Sequence, residues 1–273
     1  NILIAVLLGT VMVGYYSNYV LIITTVTNFI NVLVNALFSS IGNLNAGENR
    51  EKSYQFFRFF VFLFNWITAA ASLCLLVAMD DFIRLWIGES YLLSREVLIA
   101  VVVNFYVHIV VTPLWVYRET MGLFAKMKYL ALVSAGLNLV LSVILGSVWG
   151  LSGIIISTAL ARIATKVWYD PYLLYKEKFD RPVREYWFMQ FKYTAVGLAG
   201  AAAAVWAGGL LGSAPLMIPL KIGIAVIVTT LLFILASART PELAMALEYG
   251  PLLRSRLKAK LGFKPVESRG MNG

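Results

Sequence analysis

YVLIITTVTNFINVLVNALFSSI, residues Tyr19 to Ile41, decides the fold of this chain. The run carries no charge and, at about 1.5 Å of rise per helical residue, is long enough to cross the roughly 30 Å of hydrocarbon in a bilayer. One polar stripe interrupts it. Thr24, Asn28, Asn31, Asn35 and Ser39 step by four, three, four and four, which places all of them on one face of a helix. An asparagine amide turned toward lipid leaves its donors and acceptors without partners, a heavy penalty in a medium that cannot hydrogen-bond. This face must therefore meet protein or water. Two readings stand side by side: hydrogen-bonded glue between neighbouring helices, or the wall of a hydrated path for a polar substrate.

The remainder of the 273 residues has the same character. Hydrophobic residues make up 60% and charged residues 14%, and no charge appears from Asn1 to Gly47. Such long apolar runs exceed what a soluble core needs and predict an all-α, polytopic transmembrane helical bundle. The net charge of +9 does not point to nucleic acid, because most Lys and Arg fall in alternate loops and in the tail, as membrane topology requires. Cys74, the single cysteine, lies within an apolar run, where it reads as packing and permits neither a disulfide nor a thiolate metal cluster. No cofactor or metal is expected.

Working outward from Tyr19–Ile41, the chain begins at Asn1 in an apolar run reaching Val13, read as a truncated span. Complete spans are predicted at about 18–42, 56–79, 97–117, 129–149, 151–173, 192–211 and 216–238. One set of connections holds Arg50, Lys52, Arg118, Lys126, Lys128, Lys176, Lys178, Arg181 and Arg184; the other holds only Arg84 and Arg95 beside Asp80, Asp81, Glu89 and Glu96. The positive-inside rule assigns the first set and the C terminus to the cytoplasm of a multi-pass plasma-membrane protein. Asp80 to Gly88 is expected to lie along the outer surface as an interfacial turn with the aspartates as caps. After Thr240-Pro241-Glu242, a tail with Leu243, Leu247, Leu253 and Leu257 among Arg254, Arg256, Lys258 and Lys260 reads as a cationic amphipathic helix on the anionic inner leaflet.

Polar stripes recur in the next spans: Asn65, Thr68 and Ser72; Asn104, His108 and Thr112; Ser134, Asn138 and Ser142; Thr158 and Arg162. The last two spans show small residues instead, with Lys192 and Lys221 near enough to helix ends to snorkel. The earlier spans therefore read as a bundle around a shared polar interior, with a helix pair appended. Pro113 should kink its helix just beyond His108.

Several pieces, in this order and spacing, resemble a known family. Gly14-Tyr15-Tyr16-Ser17-Asn18-Tyr19 precedes the striped helix ending in Ser40-Ile41-Gly42-Asn43-Leu44. Phe82-Ile83-Arg84-Leu85-Trp86-Ile87-Gly88, then Gly122-Leu123-Phe124 with Lys128-Tyr129, follow it. Gly150-Leu151-Ser152-Gly153-Ile154-Ile155 with Thr158 and Arg162, Asp170-Pro171 and Leu174-Tyr175 complete the set. Together they resemble the second half of Wzx-type oligosaccharide flippases of the multidrug/oligosaccharidyl-lipid/polysaccharide exporter superfamily. The resemblance implies one lobe of a two-lobe, MATE-like fold, residues 1–175, with a linker and appended helix pair over 176–238, a basic tail over 239–273, and an N-terminal lobe missing. It also implies alternating access. A lipid-linked oligosaccharide would cross from the inner to the outer leaflet, its sugar and pyrophosphate in a cavity and its polyprenyl tail in lipid.

That cargo suits the side chains present. Sugar hydroxyls need moderate donors and acceptors, and a pyrophosphate needs cations. Candidate cavity residues are Asn28, Asn31, Asn35, Asn65, Asn104, His108, Asn138 and Arg162, with Arg162 the first choice for the phosphate and Arg58 and Arg118 as lesser ones. For Arg162 the alternative is a packing or topology residue; for His108 it is a neutral imidazole bonded to a neighbouring helix. Catalytic readings are weaker. A membrane glycosyltransferase would have to hold metal on Asp80-Asp81 alone, and acyl transfer would need an acid partner for His108 that the sequence does not supply nearby. A multidrug exporter of the same superfamily is the main rival, but cationic drugs call for carboxylates near span centres, where this chain has none.

Overall fold

The computed structural model describes residues 2–46, 49–123, 127–209 and 217–248, without the side chains of 39, 40 and 43–46. These residues form helices α1 (Ile2–Leu8), α2 (Thr10–Ala46), α3 (Arg50–Trp86), α4 (Arg95–Val110), α5 (Thr112–Thr120), α6 (Lys128–Ala164), α7 (Lys166–Leu174), α8 (Arg184–Gly209) and α9 (Ile218–Ser237). A 3₁₀ turn at Glu89–Tyr91 and a π-helical turn at Tyr175–Phe179 complete the regular structure, and residues 241–248 are helical. Among the described residues, five helical stretches are long and apolar enough to cross a membrane: Thr10–Phe38, Arg50–Trp86, Arg95–Thr120, Lys128–Phe179 and Ile218–Ser237. The described chain is all-helical and compatible with a multi-pass membrane protein.

The spans differ from expectation in particulars. The apolar run from Asn1 to Val13 is divided: the helix breaks at Gly9 (φ 88), leaving Ile2–Leu8 as a short helix, and Thr10 already opens the 37 residues of α2. Of the stretch 192–211, residues 192–209 are helical within α8 and the last two lie outside the described residues; its Ala and Gly residues leave α8 less apolar than the five spanning stretches. Spans 129–149 and 151–173 are the limbs of a hairpin turning at Gly150 (φ 58, ψ −133). The Asn138 amide donates to Thr158 Oγ1 at 3.0 Å, and Ser142 and Ser157 hydroxyls meet at 2.6 Å. On a straight helix residues 138 and 158 would stand about 30 Å apart, so the limbs run antiparallel. A β-carbon at Gly153 would lie 2.0 Å from the Leu145 carbonyl oxygen. Only glycine lets the limbs approach this closely.

The hub is α3, which packs against α4, α8 and α9 and also touches α2 and α5. Its N-terminal end is crowded with aromatic rings. Phe57 lies 5.0 Å from Tyr117 and 5.1 Å from Phe179 between ring centroids, seating the π-helical turn against α3 and α5. Outward faces are apolar: Leu132, Leu139, Val143, Ile227, Leu231 and Leu235 are all exposed, as lipid-facing positions are in a membrane bundle.

The segment from Asp80 does not form an interfacial turn of its own. It completes the C-terminal end of α3, and the chain then turns at Gly88 (φ 104), whose N–H reaches the Ile83 carbonyl at 3.2 Å. The aspartates are not caps. Asp80 accepts from the Tyr19 hydroxyl at 3.3 Å and lies 3.6 Å from Arg95, while Asp81 takes the Lys221 ammonium at 2.5 Å. Lys221 thus does not snorkel; it pins the start of α9 to the end of α3. The tail expected on the membrane from Leu253 and Leu257 with Arg254, Arg256, Lys258 and Lys260 lies outside the described residues, as does Lys126. Pro113 acts as expected: α4 stops at Val110, and α5 restarts with the proline in its first turn.

Candidate polar cavity

Helix α4 and the two limbs of α6 bring three of the polar stripes together. Asn104 comes from α4, Asn138 and Ser142 from the first limb of α6, and Thr158 from the second; with Tyr16 of α2 they line a cavity of about 310 Å³ that Ile2, Leu3 and Ile4 of α1 border on an apolar side. The hairpin at Gly150 is what sets Asn138 against Thr158, because it folds two stripes 20 positions apart onto one level. Asn104 is then joined by Arg162, whose guanidinium donates to its Oδ1 at 3.3 Å. His108, one turn beyond Asn104, is exposed and lies within electrostatic reach of Arg162 and Lys166. The result is a polar strip from an amide- and hydroxyl-lined recess to a patch of basic side chains. Amides and hydroxyls can bond sugar, and Arg162 offers a fork of donors to a phosphate.

Lys166 is absent from the candidates drawn from sequence. Its signal was available, since Thr158, Arg162 and Lys166 repeat every fourth residue. The break at Thr165 hides it, for α6 ends there and α7 begins at Lys166.

The other candidates fall elsewhere. Asn65 is fully buried against α8 and away from the cavity: its amide and that of Gln190 exchange hydrogen bonds of 3.2 and 3.0 Å, and Gln190 also donates to Thr194. Asn65 is glue between helices and not a cavity residue. Asn28, Asn31 and Asn35 are the converse. With Thr24 they lie exposed along α2, and none makes a side-chain hydrogen bond among the described residues. They do not join α2 to the rest of this bundle. Hydrocarbon cannot satisfy these amides, so the face is one for water or further protein.

Both lesser phosphate candidates are engaged. Arg118, buried, donates to both oxygens of Asp170 at 2.8 and 3.0 Å, which ties α5 to α7. Arg58 pairs with Glu242, which is 2% exposed and follows α9. Among the described residues, no cluster of His, Cys, Asp and Glu could hold a metal ion. Comparison with protein-family models, characterised protein sequences and solved structures gives no match.

Proposed function

We propose that this protein is a membrane transporter, a flippase that carries an undecaprenyl-pyrophosphate-linked oligosaccharide from the inner to the outer leaflet for polysaccharide biosynthesis, by alternating access and without making or breaking bonds. The observation that carries the reading is the junction of Arg162 with Asn104 at the edge of a recess lined by Asn138, Ser142 and Thr158, inside an otherwise apolar helical bundle. The order and spacing of the sequence motifs resembling Wzx-type flippases support the same reading.

In this proposal residues 1–175 form one lobe, and the exposed amides of Asn28, Asn31 and Asn35 face a second lobe across a hydrated space. The pair α8 and α9 packs on α3 and on itself, and contributes no residue to the recess, as an appended pair would. Basic loops face the cytoplasm. The rival reading, export of cationic drugs, finds less support. The carboxylates buried between helices, Asp81 and Asp170, are both taken by cations, Lys221 and Arg118.

Arg162→Gln tests the proposal in cells. A charge-assisted bond to phosphate is worth about 1.5–3 kcal/mol, or roughly tenfold and more in rate if it forms as the cargo moves. Export of the glycolipid should fall by about that factor with the membrane level of the protein near normal, and Arg162→Lys should recover part of it. Unchanged export in Arg162→Gln removes the phosphate role.

A further inference from the structure

A second, larger cavity of about 560 Å³ lies between α3, α8 and the turn after α9, lined by Tyr54, Arg58, Arg184, Glu185, Phe188, Lys192 and their neighbours. It shares no residue with the polar recess. Arg184, Phe188 and Lys192 follow each other at four-residue steps, so they stack along one face of α8 over about 12 Å. Charge bookkeeping inside this cavity is uneven. Glu242 is taken by Arg58, and Glu185 by the Tyr54 hydroxyl at 2.5 Å, with Arg181 at 3.6 Å. Arg184 and Lys192 therefore line the cavity with no carboxylate partner among the described residues; the Lys192 ammonium lies over the Tyr193 ring, 5.4 Å from its centroid. Between them Phe188 is 79% exposed, and Phe191 beside it is 63% exposed.

We infer that this cavity binds the headgroup of an anionic phospholipid. Two cations that line one cavity without a carboxylate partner among the described residues match a phosphodiester. Phe188 between them offers an apolar surface to the attached acyl chain, which a soluble phosphate does not need. The lipid phosphate completes the charge balance that the protein leaves open, and it braces α8 against α3 where Arg58 already ties α3 to the residues following α9.

The test is native mass spectrometry of the purified protein released from nanodiscs of phosphatidylcholine and phosphatidylglycerol at three to one. The wild type should retain phosphatidylglycerol in preference to phosphatidylcholine. The Arg184→Gln/Lys192→Gln variant should lose that preference by about thirtyfold, as expected from two membrane-facing cations. Lys52→Gln/Lys128→Gln removes the same charge from exposed positions outside the cavity and should retain the lipid. Equal losses in the two variants would reduce the effect to diffuse attraction and overturn the site; so would equal retention by Arg184→Gln/Lys192→Gln and wild type. A parallel arm adds millimolar inorganic phosphate. Displacement of phosphatidylglycerol by phosphate alone would identify a soluble phosphate as the ligand and overturn the lipid assignment, whereas persistence of the lipid supports it. Phe188→Ala supplies a variant with all charges intact, and it should shorten lipid retention without abolishing the headgroup preference.

Discussion

Lys221→Met should destabilise the protein by about 3 kcal/mol. The ammonium it removes lies 2.5 Å from Asp81 Oδ2, with both side chains 8% exposed. Deleting one member of a buried ion pair costs roughly 3–5 kcal/mol, because the remaining charge stays in a poorly solvated site. Asp81 retains Arg84 at 3.2 Å, a partner 37% exposed, which places the expected loss at the low end of that range. Removing both charges is a different perturbation. Asp81→Asn/Lys221→Met strands no ion, so its loss should stay within about 1 kcal/mol of wild type. Reversible unfolding in mixed micelles by a denaturing detergent, followed by circular dichroism and tryptophan fluorescence, measures both. The Trp66 indole donates to Thr230 at 3.2 Å across the same α3–α9 contact and reports its opening. A Lys221→Met variant within about 0.5 kcal/mol of wild type, or a double variant as unstable as the single, would refute the reasoning.

Three further outcomes are expected. Asn65→Leu should lower stability by about 1 kcal/mol or more, since it breaks the reciprocal amide pair and leaves Gln190 short of a partner, whereas Asn31→Leu should leave it near wild type in the same unfolding assay. With Cys74→Ala as background, Ser142→Cys/Ser157→Cys should cross-link readily on oxidation. Adding Gly153→Val should abolish that cross-link, because a β-carbon there meets Leu145 backbone at 2.0 Å; overpacking of this kind costs about 1–3 kcal/mol at least. In the same background an impermeant thiol reagent added outside cells should label Glu89→Cys and not Glu177→Cys. The reverse pattern would invert the topology drawn from the basic loops.

Composition and helical periodicity made the class of fold legible, because in lipid a chain must satisfy its own backbone and only long apolar helices do so from local sequence. The hairpin could also be placed, since Gly150 separates two apolar runs. Periodicity marks which residues share a face but not what that face meets. Asn65 and Asn31 carry the same signal; one is buried against Gln190, 125 positions away, and the other is exposed. The pairs Asp81–Lys221 and Arg118–Asp170 were hidden for the same reason; they make Lys221, read as snorkelling, and Arg118, read as a lesser phosphate candidate, links between helices. The striped helix α2 drew attention by its asparagines, but α3 is the hub, where Phe57, Phe60 and Phe64 are wholly buried. Asn104, Asn138 and Arg162 come together because three separate stripes meet, and Lys166 was passed over because a helix break falls between it and Arg162.

The leaflet distribution of the lipid-linked oligosaccharide in cells deleted for the gene encoding this protein tests the proposed activity most directly. Glycolipid extraction, combined with an impermeant probe of sugars on the outer face, measures it. The account predicts accumulation of undecaprenyl-pyrophosphate-linked oligosaccharide on the inner leaflet, reversed by the wild-type gene and not by the Arg162→Gln allele. An unchanged distribution, accompanied by raised sensitivity to cationic drugs, would contradict it.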